Sequence, residues 1–421
     1  MYEKNCVNLH PKTESIKGMK RAIIIVLLMG AVAAHGQHIH LFGNESRSAM
    51  YFNLDRLWSY NLYEHSTWGG GLHFVTFAPF TFANRREYNI YVNYSTHIHQ
   101  WKYGLGVAYR LRRSRHNGTL YLSGAHDYYT AGSRSLDDAS RCDLGSLSTF
   151  MTQRMMEQYH FMAGYSVEVL GATLSFDGRW YKGWRLFDAE SMRYRTDSTD
   201  VPRDDGREYR LRLEAPIGLT VQLQGGYTGV NSEEFGVRSY LRLIGQYYHT
   251  FESGFLGLDL YLQGGVASNG APYTHLFDMG GSYGGPVCFN SSLLTATPNE
   301  FTARQYAVGS LRLHPAKPIF KLYSRLLHIG TMPMPYVGVA AMWGELGNQD
   351  EEGQAVVDGI QLQAPHKGIL EPSLGIDDIL RWGSVGWGVA VAYRMAPRGT
   401  AYCHEELSDN VGLMITAKLV L

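Results

Sequence analysis

The chain has 421 residues, and its 38 lysines and arginines balance its 38 aspartates and glutamates, so its formal net charge is zero. Nothing in this balance points to nucleic acid as a partner. No apolar run reaches 18 residues, which excludes a helical membrane protein, while 47 glycines and only 18% charged residues suit a chain with one face in lipid.

The N-terminal residues are typical of a targeting sequence. Met19, Lys20 and Arg21 precede an apolar run over 22–34, which is the order of a secretory signal peptide over 19–36. A helix of that length reaches only about 20 Å, too short to cross a bilayer. Residues 1–18 are then a possible mis-called N-terminal extension, and 37–50 a short periplasmic N-terminal segment.

Apolar side chains alternate with small or polar ones from about residue 51 onward. Residues Tyr103, Leu105, Val107, Tyr109 and Leu111 alternate with Lys102, Gly104, Gly106, Ala108, Arg110 and Arg112. Because successive side chains of a strand point to opposite faces, one face suits hydrocarbon and the other suits water. A soluble sandwich also alternates, but its exposed face is richer in Lys, Glu and Thr. The chain also has 29 Tyr and 8 Trp, enough for the rings of aromatic residues that barrels place at the two membrane interfaces. The pattern therefore predicts an all-β fold. This fold is a transmembrane antiparallel β-barrel over 51–421, located in an outer membrane.

The alternation divides into about sixteen strands, with 14 to 18 possible. They are expected near 51–62, 67–78, 88–98, 101–113, 118–126, 157–169, 171–182, 207–215, 218–226, 237–251, 254–266, 299–313, 335–345, 369–377, 384–396 and 409–421. Connections after even-numbered strands are mostly short, and the long ones follow odd-numbered strands. Bacterial barrels have short periplasmic turns and long external loops, so this order predicts which end is which.

One connection breaks that order. Residues 314–334 are long but fall at the end where short turns are expected. Within them, Ile319, Leu322, Tyr323 and Leu326 recur at helical spacing after Pro318, which predicts a short amphipathic helix near 318–328 at the periplasmic side. It is either a rim or plug element or a docking surface for a periplasmic partner.

The charged residues on the strand face that suits water should converge inside a barrel. The lumen-facing candidates are Lys102, Arg110, Arg112, Glu168, Asp177, Arg179, Arg210, Arg212, Glu214, Arg242, Asp259, Arg394 and Lys418. Nine cations against four anions predict a mildly positive lumen with a preference for anions. The alternative is that these residues form cross-strand pairs that only stiffen the barrel.

The sequence gives no catalytic signature and no metal site. His38 with His40, and His97 with His99, are spaced to share one face of a strand, but neither pair has a neighbouring cysteine or carboxylate cluster. Sets of Ser, His and Asp can always be drawn among 17 histidines, and none here has a local motif. We therefore expect no cofactor, no metal and no enzymatic activity, with a rim-located hydrolase as a third possibility.

Several stretches resemble a known family. They are 318–346, with Ile319-Phe320-Lys321-Leu322, then 371–381, and the entry with Phe52-Asn53 and 60–65. They are similar to the barrel of the outer-membrane proteins that contain a carboxypeptidase-regulatory-like domain, a family itself similar to the outer-membrane assembly and surface-antigen barrels. That resemblance implies a sixteen-stranded barrel. Assembly barrels carry an Arg-Gly-aromatic motif in a loop folded into the lumen, and 267–298 contains no such motif.

These observations favour an integral, non-enzymatic outer-membrane barrel that acts as a pore, a scaffold or a component of envelope biogenesis. The alternative, from the superfamily resemblance, is a barrel that inserts or translocates polypeptide or lipid. The expected partners are outer-membrane lipid and the outer-membrane assembly machinery during insertion, and the docking-surface reading of 314–334 adds a periplasmic protein.

Overall fold

The structure is a computed structural model of the whole chain. It describes residues 38–44, 47–53, 57–61, 65–77, 84–96, 99–112, 117–130, 155–188, 193–194, 204–229, 236–279, 293–296, 300–316, 333–358, 360–382, 385–403 and 406–419. The signal peptide predicted over 19–36 and the helix predicted near 318–328 lie outside these residues.

Nearly all of the described chain is β-strand. The strands are β1 His38–Asn44, β2 Ser48–Asn53, β3 Trp58–Asn61, β4 His65–Phe77, β5 Asn84–Ser95, β6 Gln100–Arg112, β7 Asn117–Thr130, β8 Met155–Val169, β9 Ala172–Asp188, β10 Arg193–Tyr194, β11 Asp204–Glu214, β12 Leu219–Thr228, β13 Arg238–Ser253, β14 Leu256–Ala267, β15 Phe277–Asp278, β16 Thr302–Ala303, β17 Gln305–Pro315, β18 Met334–Glu345, β19 Gln354–Val357, β20 Ile360–Gln363, β21 Ile369–Trp382, β22 Val385–Tyr393 and β23 Val411–Leu419. Short 3-10 turns cover Tyr273–His275 and Leu407–Asn410. The all-β prediction is confirmed.

Nineteen of these strands form one antiparallel sheet. β2 and β3 both pair with β4, at different ends of it, and β10 and β11 both pair with β9. Each of these pairs therefore occupies one position, and the sheet has seventeen successive positions. Sixteen of them correspond to the sixteen predicted strands, and the additional one is β1.

β1 lies in the segment that the sequence assigned to a periplasmic extension. Its residues His38 to Asn44 pair with Asn53 to Ser48 of β2, with a bulge between His40 and Phe42. The alternation His38-Ile39-His40-Leu41 is that of a strand, and the outward Ile39 and Leu41 are about half exposed. His40 packs edge-on against Tyr51 of β2.

The sheet has two chemically different faces. We call outer face the one that exposes large apolar side chains, which include Trp101, Tyr103, Leu105, Leu120, Leu122, Phe161, Tyr165, Leu174, Phe176, Leu211, Leu213, Leu241, Leu243, Leu374, Val389 and Val391. On the inner face, polar residues such as Asp177, Arg179 and Arg242 are buried. This is the reverse of a soluble domain, in which burial is mostly apolar.

Consecutive strands at one end are joined by tight turns. β8 and β9 are joined by Leu170 and Gly171 alone, and 215–218 and 254–255 make similar short connections. At the other end the connections are long, as between β14 and β17. We call these the short-turn end and the long-loop end, and they agree with the order predicted from the sequence.

Among the described residues, β23 pairs with β22 alone, and β1 with β2 alone. No helix in this part of the chain is long and apolar enough to cross a membrane. In the described chain, the inner face is one side of this sheet.

The turn between β8 and β9 gives a stability prediction. Leu170 has a positive φ of 54° and is 98% exposed, and Gly171 follows with a φ of 79°. A leucine in the left-handed region costs about 1 kcal/mol, whereas Asn-Gly is the preferred sequence for a two-residue hairpin turn with both φ positive. We expect Leu170→Asn to raise the free energy of unfolding in urea by about 1 kcal/mol. Gly171→Ala should lower it, and equal stability of the two variants would contradict this explanation.

Candidate functional site

The candidate site is the inner face, because the alternation collects charged residues there. On β9, Asp177, Arg179 and Tyr181 are buried, while the intervening Phe176 and Trp180 are exposed on the outer face. The site is therefore built by the strand period itself and needs no special local motif.

An ion-pair network joins β9, β11 and β13. Arg179 lies opposite Glu208 in the register and Arg210 lies opposite Asp177. The distance from Arg179 Nη2 to Glu208 Oε2 is 3.1 Å, and that from Arg210 Nε to Asp177 Oδ1 is 2.7 Å. Tyr240 donates a 2.9 Å hydrogen bond to Glu208, which is completely buried. Opposite charges thus face each other across adjacent strands.

Glu208 was missed from the sequence, although a signal for it existed. It lies two and four residues before Arg210 and Arg212, which were assigned to the inner face, so it has their parity. Arg212 is paired with Glu214 at 2.8 Å. The inner face therefore carries more acidic charge than the predicted ratio of nine to four.

A second group of charges lies on β5, β6 and β7. Lys102 Nζ is 3.4 Å from Asp127 Oδ1, and Tyr91 donates a 2.6 Å hydrogen bond to the same carboxylate. Arg110 Nε is 2.9 Å from Glu87 Oε1. The prediction from the sequence included Lys102 and Arg110 but omitted their acidic partners Asp127 and Glu87, as it omitted Glu208 in the first group.

The remaining predicted residues are more scattered. Asp259 accepts a 2.7 Å hydrogen bond from Thr250 and lies 3.5 Å from His314, while Glu168 accepts one of 3.2 Å from Asn117 and is exposed. The side chains of Arg112 and Lys418 are outside the part that the structure describes, although both residues lie on paired strands.

In the connection between β14 and β17, residues 268–304, the described parts 268–279, 293–296 and 300–304 lie over the inner face. We call this connection the inner loop. Its His275 stacks on Tyr240 of β13, with ring centroids 4.1 Å apart, and lies 3.2 Å from the hydroxyl of Tyr181 on β9. Phe277 lies under the guanidinium of Arg242, at 4.5 Å. Since these partners all belong to the inner face, this part of the loop lies against the inside of the sheet.

The other half of the inner loop is held on β21 and β22. Glu371 accepts hydrogen bonds of 2.8 Å from the backbone N–H groups of Leu294 and Thr295, and a third from the Thr295 hydroxyl. Arg394 binds the Glu300 carboxylate through both terminal nitrogens and donates a 2.6 Å hydrogen bond to the Thr295 carbonyl. Charge-assisted bonds of this kind are about twice as strong as neutral ones.

A third set of hydrogen bonds, made by Asp358, stabilises the inner loop. Asp358, in the turn of the β19–β20 hairpin, receives two hydrogen bonds from Arg238 at the start of β13, of 2.7 and 2.9 Å. It also accepts a 2.9 Å hydrogen bond from the Tyr273 backbone N–H. One carboxylate therefore joins the sheet, the inner loop and the hairpin.

An apolar cluster lies beneath these polar contacts. Leu276, Phe277, Met279, Leu293 and Phe301 of the inner loop are completely buried together with Tyr402, which follows β22. Burial raises the pKa of the Tyr402 hydroxyl, which accepts a 3.1 Å hydrogen bond from the Lys367 N–H. The long-loop end thus has a small conventional core, which fixes the loops in one arrangement.

Among the described residues, the outer face has a buried histidine–glutamate pair that the sequence did not indicate. His126 Nε2 lies 3.0 Å from Glu157 Oε1, and its Nδ1 lies 2.8 Å from the Trp101 carbonyl. Tyr103 and Tyr159 cover the imidazole, with centroid distances of 5.5 and 4.5 Å. This pair lies among aromatic residues, where the polar edges of a membrane-facing surface are expected.

The described residues hold no group of three or more His, Cys, Asp or Glu side chains that could bind a metal ion. Within the same residues, Cys403 is a free cysteine.

No family model matches the chain, and no curated protein matches it. The resemblance to proteins with a carboxypeptidase-regulatory-like domain thus has no support from these comparisons.

Several solved structures are similar to the chain. CdiB from Acinetobacter baumannii is 10% identical over 84% of this chain and 57% of its own, with a TM-score of 0.42. BamA from Haemophilus ducreyi, lacking POTRA domains 1–3, is 9% identical over 95% of this chain and 79% of its own, with a TM-score of 0.44. The outer membrane transporter YddB from Escherichia coli is 10% identical over 91% and 67%, with a TM-score of 0.35. The chain spans less than three fifths of the CdiB chain.

The contacts of Asp358 predict how the inner loop is held. Asp358→Asn keeps the size and tolerates the residue's positive φ of 51°, but it removes the charge that binds Arg238 and the Tyr273 N–H. We expect the free energy of local opening to fall by about 2 kcal/mol, which makes hydrogen exchange over 271–276 about 30-fold faster. Mass spectrometry of the exchanged protein would measure this.

The control is Glu351→Gln. Glu351 is an exposed carboxylate that lies, like Asp358, in the connection between β18 and β21. Its exchange over 271–276 should equal that of the unchanged protein. Equal exchange in Asp358→Asn would show that the carboxylate does not hold the loop.

Proposed function

We propose that the chain is an integral, non-enzymatic β-barrel protein of an outer membrane. The observation that carries this proposal is the exposure of large apolar side chains on the outer face of strand after strand. Soluble monomers rarely expose apolar patches of more than a few hundred Å². A hydrocarbon environment makes such exposure favourable. It also requires backbone groups to be paired, and the successive sheet positions between β1 and β23 have a partner on both sides.

The two ends of the sheet support an orientation. Short turns at one end and long connections at the other are typical of outer-membrane barrels, in which the long loops are external. We therefore propose that the long-loop end faces the outside and that 215–218 and 254–255 lie on the periplasmic side.

The inner loop supports a more specific role. It is held by Glu371, Arg394 and Asp358 and covers inner-face residues from β9 to β22, so it obstructs the long-loop end. The inner charges are paired across strands. We propose a barrel with an obstructed interior, a scaffold or a gated pore. Because Glu87, Asp127 and Glu208 add acidic charge to the four predicted anions, any conductance that remains should show a weaker anion preference than the predicted charge count implies.

The proposed partners are outer-membrane lipid and, during insertion, the outer-membrane assembly machinery. A periplasmic partner at 314–334 is proposed from the sequence alone. The alternative function, insertion or translocation of polypeptide or lipid, predicts that depletion of this protein changes the levels or folding of other outer-membrane proteins. Unchanged levels would remove it.

A gel experiment tests the barrel itself. Barrels in detergent keep their compact shape until they are heated, so the unheated protein should migrate differently from the boiled protein. The Leu105→Arg variant places a charge in the middle of the outer face, where it costs about 2 to 4 kcal/mol in a bilayer, and should lose the compact band at a lower temperature. The Leu170→Asn variant, altered at a turn, should not. Identical migration of heated and unheated protein would overturn the proposal.

Planar-bilayer recordings test the obstructed interior. The unchanged protein should show little steady conductance, because the inner loop obstructs the long-loop end. Asp358→Asn should open more often, and Glu351→Gln should behave as the unchanged protein. A large, steady conductance before any substitution would contradict the role of the loop, and the ion selectivity of the openings would test the predicted anion preference.

A further inference from the structure

The outer face is indented where small residues meet on four adjacent strands. Gly245 of β13 lies opposite Gly264 of β14, and Gly264 lies opposite Ala307 of β17. In the neighbouring row, Gly309 of β17 lies opposite Ala341 of β18. Elsewhere this face exposes leucines, valines and aromatic residues. The small residues therefore form the floor of a depression in an otherwise bulky apolar surface.

We call this open depression the outer groove. Its volume is about 780 Å³, within the usual range for a site that holds a small ligand. The space above Gly245 is open, since a Cβ built there would have no heavy atom within 4 Å. Tyr247, Leu262 and Trp343 form its sides. The sides are apolar, and the site suits a chain of methylene groups.

The groove runs obliquely between the two ends of the sheet. At one extreme it reaches Leu219, the first residue of β12 after the short turn 215–218. At the other it reaches Lys367 and Gly368, just before β21 begins at the long-loop end. A long, narrow occupant that crosses a large part of the membrane fits this course better than a compact one.

The charge of the groove lies at one extreme. Among the described residues that line the groove, Lys367 is the one that carries a charge, and its side chain is exposed. Arg398 is also exposed and directly follows Pro397, another lining residue. Trp343 marks the level of the interface, since its indole N–H donates a 2.9 Å hydrogen bond to the His366 carbonyl. The cations therefore lie at the depth of a lipid headgroup, on the long-loop side.

We propose that the outer groove binds an acyl chain of a phosphorylated glycolipid of the outer leaflet, lipid A, with a phosphate beside Lys367. This inference rests on the proposed membrane location and orientation. An acyl chain gains no hydrophobic energy on moving from bulk lipid into a groove, because both are apolar. Selectivity comes from close packing against Gly245 and Gly264 and from the attraction between phosphate and cation.

Two variants test the two halves of the site. Gly245→Leu fills the floor of the groove, where the structure leaves room for it, and Lys367→Gln removes the charge. Matched controls are Gly124→Leu, on the outer face of β7 with only ordinary contacts at its Cβ, and Arg86→Gln, an exposed cation on β5. Each purified full-length protein would be mixed in mild detergent with lipid A or with phosphatidylglycerol, and its bound lipid measured by native mass spectrometry.

We expect one tightly bound lipid A on the unchanged protein and on both controls. Its apparent affinity should fall at least tenfold in Gly245→Leu and about fivefold in Lys367→Gln. Should Gly245→Leu fail to fold, Lys367→Gln together with its control still decides. The proposal is overturned if the controls lose lipid as the variants do, if phosphatidylglycerol binds equally well, or if a second copy of the chain occupies the groove and lipid does not.

The heat-shift gel on the same samples separates this inference from the function on which it rests. A protein that shifts on heating but binds no lipid A is a barrel without this lipid site. A protein that shows no shift contradicts the membrane barrel itself.

Discussion

The register between β9 and β11 is the interaction on which the arrangement of the inner face depends. It sets Arg179 opposite Glu208 and Arg210 opposite Asp177, so each buried charge meets its partner across one strand spacing. A slip of one residue would turn those charges to the outer face and bring Phe176 and Leu211 inside. Breaking one such pair leaves an uncompensated buried charge, which costs several kcal/mol. The same register that satisfies the inner charges therefore keeps the outer face apolar.

A sheet whose apolar face is turned outward has no hydrophobic core on that face, and the inner loop provides a core on the other face. A soluble sheet buries its apolar face against a second layer, but here that face is turned outward. The loop residues Leu276, Phe277 and Phe301 make a small core of their own against inner-face residues such as Tyr306 and Ile244. Its position then depends on polar bonds from Glu371 and Arg394, which are directional and set one arrangement. The sheet supplies the stable frame and the loop supplies its interior.

The strands could be predicted because each one repeats the same two-residue period, and all sixteen expected strands have counterparts. β1 was missed because its alternation is short and its polar positions are histidines, and 37–50 was assigned to a periplasmic segment. Glu208 could have been found by extending the parity of Arg210. Glu300, Asp358 and Thr295 could not, because they lie in connections where no period fixes a face and their roles depend on contacts distant in sequence. The partner of His126 was equally inaccessible, because Glu157 lies on the next strand and their pairing depends on the contact between β7 and β8.

In the proposed orientation, with the long-loop end outside the cell, the position of Asp358 in the turn of a hairpin has a consequence for surface display. The tip of a loop is ordinarily its most accessible point, free to vary in sequence and the first part met by an antibody or a phage. In this protein the tip of the β19–β20 hairpin is bound to β13 and to the backbone of Tyr273. An epitope inserted at that tip would break the loop arrangement and would not be displayed, and immune pressure on this hairpin would meet a structural constraint that ordinary surface loops do not have.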